Sequence, residues 1–443
     1  MDKDSKLGRT LGTITSRLRQ TAMLRDLPRE VAVLSTVAFF VALGFGIVAP
    51  AIPLFAKSFG VTVFEASAVI SVFAFFRLIS ATPAGLMVNR FGERRVLATG
   101  LGIVAVSSAL AGMATDYIHL LVLRGIGGLG SAMFTVSAMA LLLRVVEPEQ
   151  RGRASAAYQG GFLLGGVAGP AVGGLVLGIS IRAPFFVYAA TLCAATIVTI
   201  TMLSKTHLRD KVETTATSKT QDRAGLSRAL RDRAYLTALT INLGNGFASF
   251  GLRSALIPLF VVEALALGRQ WTGYGLLVSA LIQGLLLLPA GRMADIRGRK
   301  PALILGTAAT TIGFIVLAFT NSLGLFLVAM AILGVGAAYL ASAPAAVVGD
   351  MTGGQRGGPI VATYQMMSDA GAVAAPLIAG TIVDRTGSFE VGFLVGAGLL
   401  AVGFLMSLFM RETLKGDMNE EEELVQNVEG QGIDPDESPV HIQ

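Results

Sequence analysis

The chain has one cysteine, Cys193, one tryptophan and three histidines among its 443 residues. A single thiol closes no intrachain disulfide and builds no cysteine metal cluster. Because Cys193 lies in an apolar run, it is expected to be a small buried hydrophobe. His119, His207 and His441 are too scattered to hold a metal, so no metal is expected. Charge is scarce as well. Only 14% of residues are charged, against about 25% in soluble proteins, and mean hydropathy is +0.67. A water-soluble enzyme of this length does not fit those values. The chain also shows no nucleophile–base constellation and no phosphate loop, so neither catalysis nor a cofactor is expected. The net charge of +6 raises the question of nucleic acid. That partner is rejected, because the basic residues sit in short clusters between apolar runs and not on one face.

What the chain has is long apolar stretches. A hydrocarbon core about 30 Å thick takes roughly 20 apolar residues of helix. Twelve such runs are present: 31–55, 66–88, 96–114, 118–143, 157–180, 183–203, 235–262, 272–290, 302–320, 323–348, 360–383 and 389–410. With the N-terminus inside, the inner segments hold 28 Lys and Arg, and the outer loops hold four: Lys57, Arg182, Arg269 and Arg385. Positive-inside bias then places both termini in the cytoplasm. The expected setting is a multi-pass protein of a prokaryotic cell membrane, surrounded by lipids. No signal peptide is expected, because residues 1–30 are polar and basic and the run from Val31 is too long for a signal core. Leu7, Leu11, Ile14 and Leu18 fall at helical spacing beside Arg9, Arg17 and Arg19. They suit either a helix on an anionic membrane surface or a solvated tail.

The organisation follows. Residues 1–30 form a cytoplasmic tail, 31–203 a first six-span half, 204–233 a charged cytoplasmic linker, 234–410 a second half and 411–443 an acidic cytoplasmic tail.

The halves are written to one plan. Residues 83–95 read PAGLMVNRFGERR and residues 289–300 read PAGRMADIRGRK. Pro83, Gly85, Asn89, Gly92 and Arg94 match Pro289, Gly291, Asp295, Gly298 and Lys300, all at an offset of 206. Tyr158-Gln159 matches Tyr364-Gln365, and Pro170 matches Pro376, at the same offset. Ile52-Pro53-Leu54-Phe55 matches Ile257-Pro258-Leu259-Phe260 at 205. Two six-span repeats that both start inside should be related by an axis along the membrane normal, with a site between them near the midplane. That arrangement suits alternating access, in which the halves rock and the site opens to one side at a time.

Ionisable residues inside the bilayer cost on the order of 2.5–3.5 kcal/mol each and are functional candidates by default. Arg77, Arg124, Arg253 and Asp369 lie deep in their runs. Glu65, Asp116, Glu263 and Asp384 lie near run ends and are expected to be solvated. Asp369 is the only deep acid. Burial raises a carboxyl pKa and a nearby cation lowers it, so such a group can load and release a proton. Counted from the inner ends of their runs, Arg77 and Asp369 differ in depth by only about 3 Å. Arg253 and Gln283 are the candidates for contact with substrate. The excess of deep cations leans toward a neutral or anionic substrate.

Three motifs carry a resemblance to the major facilitator superfamily, and within it to the twelve-span drug:proton antiporters. The first is the repeated phrase, whose family pattern is G-x-x-x-D-R-x-G-R-R/K. The second is Arg124-Gly125-Ile126-Gly127-Gly128-Leu129-Gly130, close to the family's R-x-x-Q-G-x-G. The third is Gly165-x-x-x-Gly169-Pro170-x-x-Gly173-Gly174, which matches the antiporter signature throughout. The resemblance covers about residues 31–410. It implies an all-α membrane protein of twelve transmembrane helices in two pseudo-symmetric halves, the major facilitator fold. It also implies a monomeric secondary transporter that exchanges protons for small lipophilic compounds or drugs.

The resemblance brings Arg77 and Asp369 face to face across the halves and links Arg124 to proton transfer. It makes Gly85, Asn89, Arg90, Gly92, Arg94, Gly291, Asp295, Gly298 and Lys300 a gating set. In that set the acid sits against the N-terminus of a helix in the opposite half. Asn89 has no charge, so the first-half latch is expected to be weaker by about 0.5–1 kcal/mol. The glycines and Pro170 of the third motif give a tight, bendable seam. Two departures stand against the resemblance: Gly127 replaces the family's glutamine, and no acid occurs between Val31 and Phe55. The alternatives are a sugar or organic-acid carrier of the same fold, or a non-transporting membrane sensor. Few polar residues in spans 1, 4, 7 and 10 favour lipophilic cargo.

Overall fold

The computed structural model describes residues 27–147, 150–203, 226–352 and 358–414. The helical pattern of Leu7 to Leu18, most of the linker and most of the acidic tail lie outside the described residues. Among the described residues, twelve helices are long and apolar enough to cross a membrane. They are α1 (Arg29–Lys57), α2 (Val63–Phe91), α3 (Glu93–Gly112), α4 (Tyr117–Val145), α5 (Arg153–Ile179), α6 (Ala183–Met202), α7 (Arg233–Ala264), α8 (Gln270–Ile296), α9 (Arg299–Ala318), α10 (Leu323–Met351), α11 (Pro359–Thr386) and α12 (Phe389–Phe409). Each expected run corresponds to one helix, and five of them (96–114, 157–180, 183–203, 302–320 and 389–410) run one or two residues past its end. Helices are what a bilayer permits, because every backbone N–H and C=O must be satisfied within the segment.

Local chemistry sets the helix starts. Thr62 caps α2 in a reciprocal pair with Glu65: the Thr62 backbone N–H donates to Glu65 at 2.8 Å, and the Glu65 N–H donates to the Thr62 hydroxyl at 3.2 Å. Asp116 caps α4 by accepting from the His119 N–H at 2.9 Å. Asp116 is exposed and Glu65 half-buried, and each has this structural task. The same bond from His119 holds the Asp116 carboxyl below its ordinary range. Prolines lie inside α2 (Pro83), α5 (Pro170), α8 (Pro289) and α11 (Pro376), so the duplicated positions carry the same local weakness. α7 runs as a π-helix over Phe247–Leu256 and Phe260–Ala264.

The two halves, α1–α6 and α7–α12, pack alike. In the first, α1 packs on α5 and α6, α2 on α4, and α3 on α4 and α6. In the second, α7 packs on α11 and α12, α8 on α10, and α9 on α10 and α12. Small residues permit the central pairings. Gly165, Gly169 and Gly173 recur every four residues and so share one face of α5, which lies on α1. A Cβ at Gly165 would collide with the Phe39 carbonyl, and one at Gly169 would stand 2.8 Å from the Gly46 Cα. Gly371, at an offset of 206 from Gly165, meets the Leu243 carbonyl of α7 in the same way. The antiporter-like glycines therefore mostly bind α5 to its own half. Only Gly174 turns to the other half, where it is in backbone contact with Gly273 of α8.

The halves meet along two seams, α2 on α11 and α5 on α8. We call the end where α1 begins the basic end, and the opposite end the far end. One expectation fails at the surface: Cys193 on α6 is exposed. Apolar neighbours in sequence do not imply burial when the outer face of the bundle is itself apolar.

The α5–α8 seam generates a prediction. Gly273→Ala should force that seam apart at the far end. In a Cys193→Ser background, Gly178→Cys should then react several-fold faster with a membrane-impermeant maleimide. An unchanged rate would show that the contact is not what closes this end.

Candidate functional site

The α2–α11 seam carries polar contacts from the far end to the middle. At the far end, both Asp384 oxygens accept from the first backbone N–H groups of α2, Val63 at 2.9 Å and Phe64 at 2.8 Å. This is a carboxylate on a helix N-terminus, favoured by both hydrogen bonding and the helix dipole. About two turns deeper, the Ser71 hydroxyl donates to the Val373 carbonyl at 2.8 Å. Deeper still, the Arg77 guanidinium pairs with the Asp369 carboxylate. Arg77 is the central residue of α2. Beside the seam, Lys57 of α1 meets Glu263 of α7 at 3.5 Å. Asp384 and Glu263, expected to be merely solvated, thus join the two halves at the far end.

The structure therefore brings Arg77 and Asp369 together across the halves. It places Arg124 nearby and leaves it unpaired. Arg124 is 2% exposed, its guanidinium lies 4.4 Å from the centroid of the Phe73 ring, and its Nε has no hydrogen-bond partner among the described residues. Gly127, where the family pattern has glutamine, packs against the Ser107 hydroxyl and the Phe73 ring. A small cleft on the inner side of the first half is lined by Phe45, Ile70, Phe73, Arg77 and Arg124, among others, and is met from the second half by Ser254 of α7.

The substrate candidates lie apart from that cleft. Arg253, in the π-helical part of α7, donates to the Ser279 hydroxyl at 2.8 Å. It lines a second cleft inside the second half, with Asn245, Ser249 and Thr310. Gln283 is half-buried on α8 and lines neither of these clefts.

At the basic end, Gly92 and Gly298 turn the chain at φ of +84° and +111°, a conformation that suits glycine. Gly85 and Gly291 do not mark a close approach: a Cβ on either would have nothing within 4 Å. Arg90 lies over the Phe91 ring, and Arg94 donates to the Ile200 carbonyl. The Asp295 carboxylate is 71% exposed and pairs with Arg299 one turn on, at 2.6 Å. Among the described residues it makes no bond to the opposite half, so the expected latch is not made here. The backbone N–H of Lys300 donates to Glu412, as does that of Arg299, at 3.0 and 2.8 Å. Burial pushes the Glu412 carboxyl up, and backbone N–H bonds from Leu414, Lys300, Arg299 and Thr413 together bring it below its usual range.

One feature of this end explains Asn89. In the first half Arg144 pairs with Glu93 at 2.8 Å. In the second half Arg299 pairs with Asp350 at 3.2 Å. Position 299 corresponds to 93 and 350 to 144, both at the offset of 206. The pair is duplicated with its charges exchanged. Asp295 finds a cation one turn on, whereas an acid at position 89 would face Glu93 at that spacing, which is repulsive. An uncharged Asn89 avoids the clash.

Two six-helix units of one plan, joined at the far end, make up the bundle. The sequence model of the Major Facilitator Superfamily matches residues 34–282 and 239–428. The chain belongs to that superfamily. It is 27% identical over 167 residues to multidrug resistance protein 2 of Bacillus subtilis (strain 168), covering 38% of this chain and 42% of that protein. It is 25% identical over 228 residues to the quinolone resistance protein NorA of Staphylococcus aureus, covering 51% of this chain and 56% of that protein. The chain thus spans about half the length of the curated relatives it matches. Among solved structures, a bacterial homologue of the human lysosomal transporter Spinster, inward-facing and unoccupied, aligns over 87% of this chain and 97% of its own at a TM-score of 0.70 and 14% identity. The nucleoside transporter NupG aligns over 86% and 99% at a TM-score of 0.65 and 13% identity. These likenesses show the fold. The structural neighbours are described as transporters, and the two relatives as resistance proteins.

Glu93→Arg should lower Tm, and Glu93→Arg with Arg144→Asp should recover it, with a coupling of about 1 kcal/mol in a double-mutant cycle. Asn89→Asp should destabilise the parent and be tolerated in the exchanged background. Separately, Asp384→Asn should weaken far-end closure by roughly 1 kcal/mol, or about fivefold, read as faster labelling of Gly178→Cys.

Proposed function

We propose that the chain is a proton-coupled secondary transporter that exports small, largely apolar compounds by alternating access. The observation that carries this reading is the Arg77–Asp369 ion pair, set midway along the seam where the halves must part. Protonating Asp369 removes its charge and loosens that contact. The polar joints at the far end and the open space beside Gly85 and Gly291 support a state that opens toward the basic end. Positive-inside bias assigns the basic end to the cytoplasm, in the cell membrane of a prokaryote. The transport halves are residues 31–203 and 234–410, and the chain acts as a monomer. Apolar and aromatic cleft walls favour lipophilic cargo, and the two drug-resistance relatives point the same way.

The test is transport into proteoliposomes under an imposed pH gradient, with a panel of dyes and antibiotics. Asp369→Asn should lose gradient-driven flux and keep substrate exchange, which needs no net proton movement. Full proton-driven flux in that variant would overturn the coupling role.

A further inference from the structure

The charges inside the bundle do not balance. Among the described residues, the deep cations are Arg77, Arg124 and Arg253, and the deep acid is Asp369. Asp369 is taken by Arg77. Arg253 has the Ser279 hydroxyl. Arg124 has no carboxylate: among the described residues it makes no ion pair, its buried Nε has no acceptor, and the ionisable group that interacts with it is the neutral phenol of Tyr188. A buried guanidinium without an anion is costly, by several kcal/mol in mutational and continuum comparisons. Such groups are kept where something else supplies the anion.

The surroundings say what that could be. Arg124 lies over Phe73 and lines the cleft on the inner side of the first half, so its fork reaches the space where cargo would sit. The walls beside it are Phe45, Ile70 and Phe73, and the nearest polar wall groups are Arg77 and Ser254. One hydroxyl is too little for a polyol, whose many hydroxyls each need a partner. One free guanidinium, which binds carboxylate in a bidentate fork, matches a single negative charge.

We infer that this cleft binds amphipathic organic monoanions, with the carboxylate on Arg124 and an aromatic or alkyl body against Phe45, Ile70 and Phe73. The inference rests on the transporter reading and narrows its substrate class. Arg124 is then a substrate-binding residue, in place of the proton-transfer role that the family resemblance gives it. Asp369 and Arg77 remain available for the proton.

The test is ligand-induced stabilisation of the purified full-length protein in detergent, with 2-naphthoate, its uncharged isostere 2-naphthamide, and the cation tetraphenylphosphonium. Saturating 2-naphthoate should raise Tm by about 2–4 °C, and the amide and the cation should not. Arg124→Gln should abolish the shift, and Arg124→Lys, which keeps the charge and loses the fork, should keep part of it. An equal shift with the amide, a shift with the cation alone, no shift with naphthoate up to roughly ten millimolar, or an undiminished shift in Arg124→Gln would each overturn the inference. If Arg124→Gln does not fold, the comparison of acid with amide in the parent protein decides. No gradient is imposed, so the outcome is independent of the flux lost or kept in Asp369→Asn.

Discussion

The α2–α11 seam is the constraint on which the rest of the structure depends. Of the two seams that join the halves it is the polar one, and its bonds change in kind with depth. The far end is held by a carboxylate on backbone N–H groups, the next contact is a hydroxyl on a carbonyl, and the middle is an ion pair. The glycine faces of α5 and of α11 bind each half internally through backbone contact.

Most of the architecture was legible in the sequence. Twelve apolar runs, the split of basic residues and the offset of 206 sufficed for the spans and their pairing into halves. The meeting of Arg77 and Asp369 was legible from depth along two runs together with the family's helix order. The gaps have physical causes. Asp384 acts on backbone N–H groups, so no complementary side chain marks its partner in the sequence. Gly85 and Gly291 carry a motif, yet open space lies beside both, so the motif alone does not reveal their surroundings. The exchanged pair of Glu93 with Arg144 and Arg299 with Asp350 was within reach, since subtracting 206 aligns it, but its signal is a reversal of charge, and matching by identity passes over it.

The same reversal accounts for the difference between the two copies of the phrase. The second half places a cation where the first places an acid, so the acid of the motif survives in one copy and gives way to an amide in the other. The two turns keep one backbone conformation, at Gly92 and Gly298, under opposite local electrostatics. What duplication conserved here is shape. Charge was free to diverge wherever both partners of a pair diverged together.

Asp384 has no counterpart in the other seam. The position matching it in α5 is Gly178, and the α5–α8 seam is closed there by glycine backbone instead. One edge of the far end is thus fastened by a carboxylate that a single side-chain change removes, and the other by backbone contact that only added bulk can part.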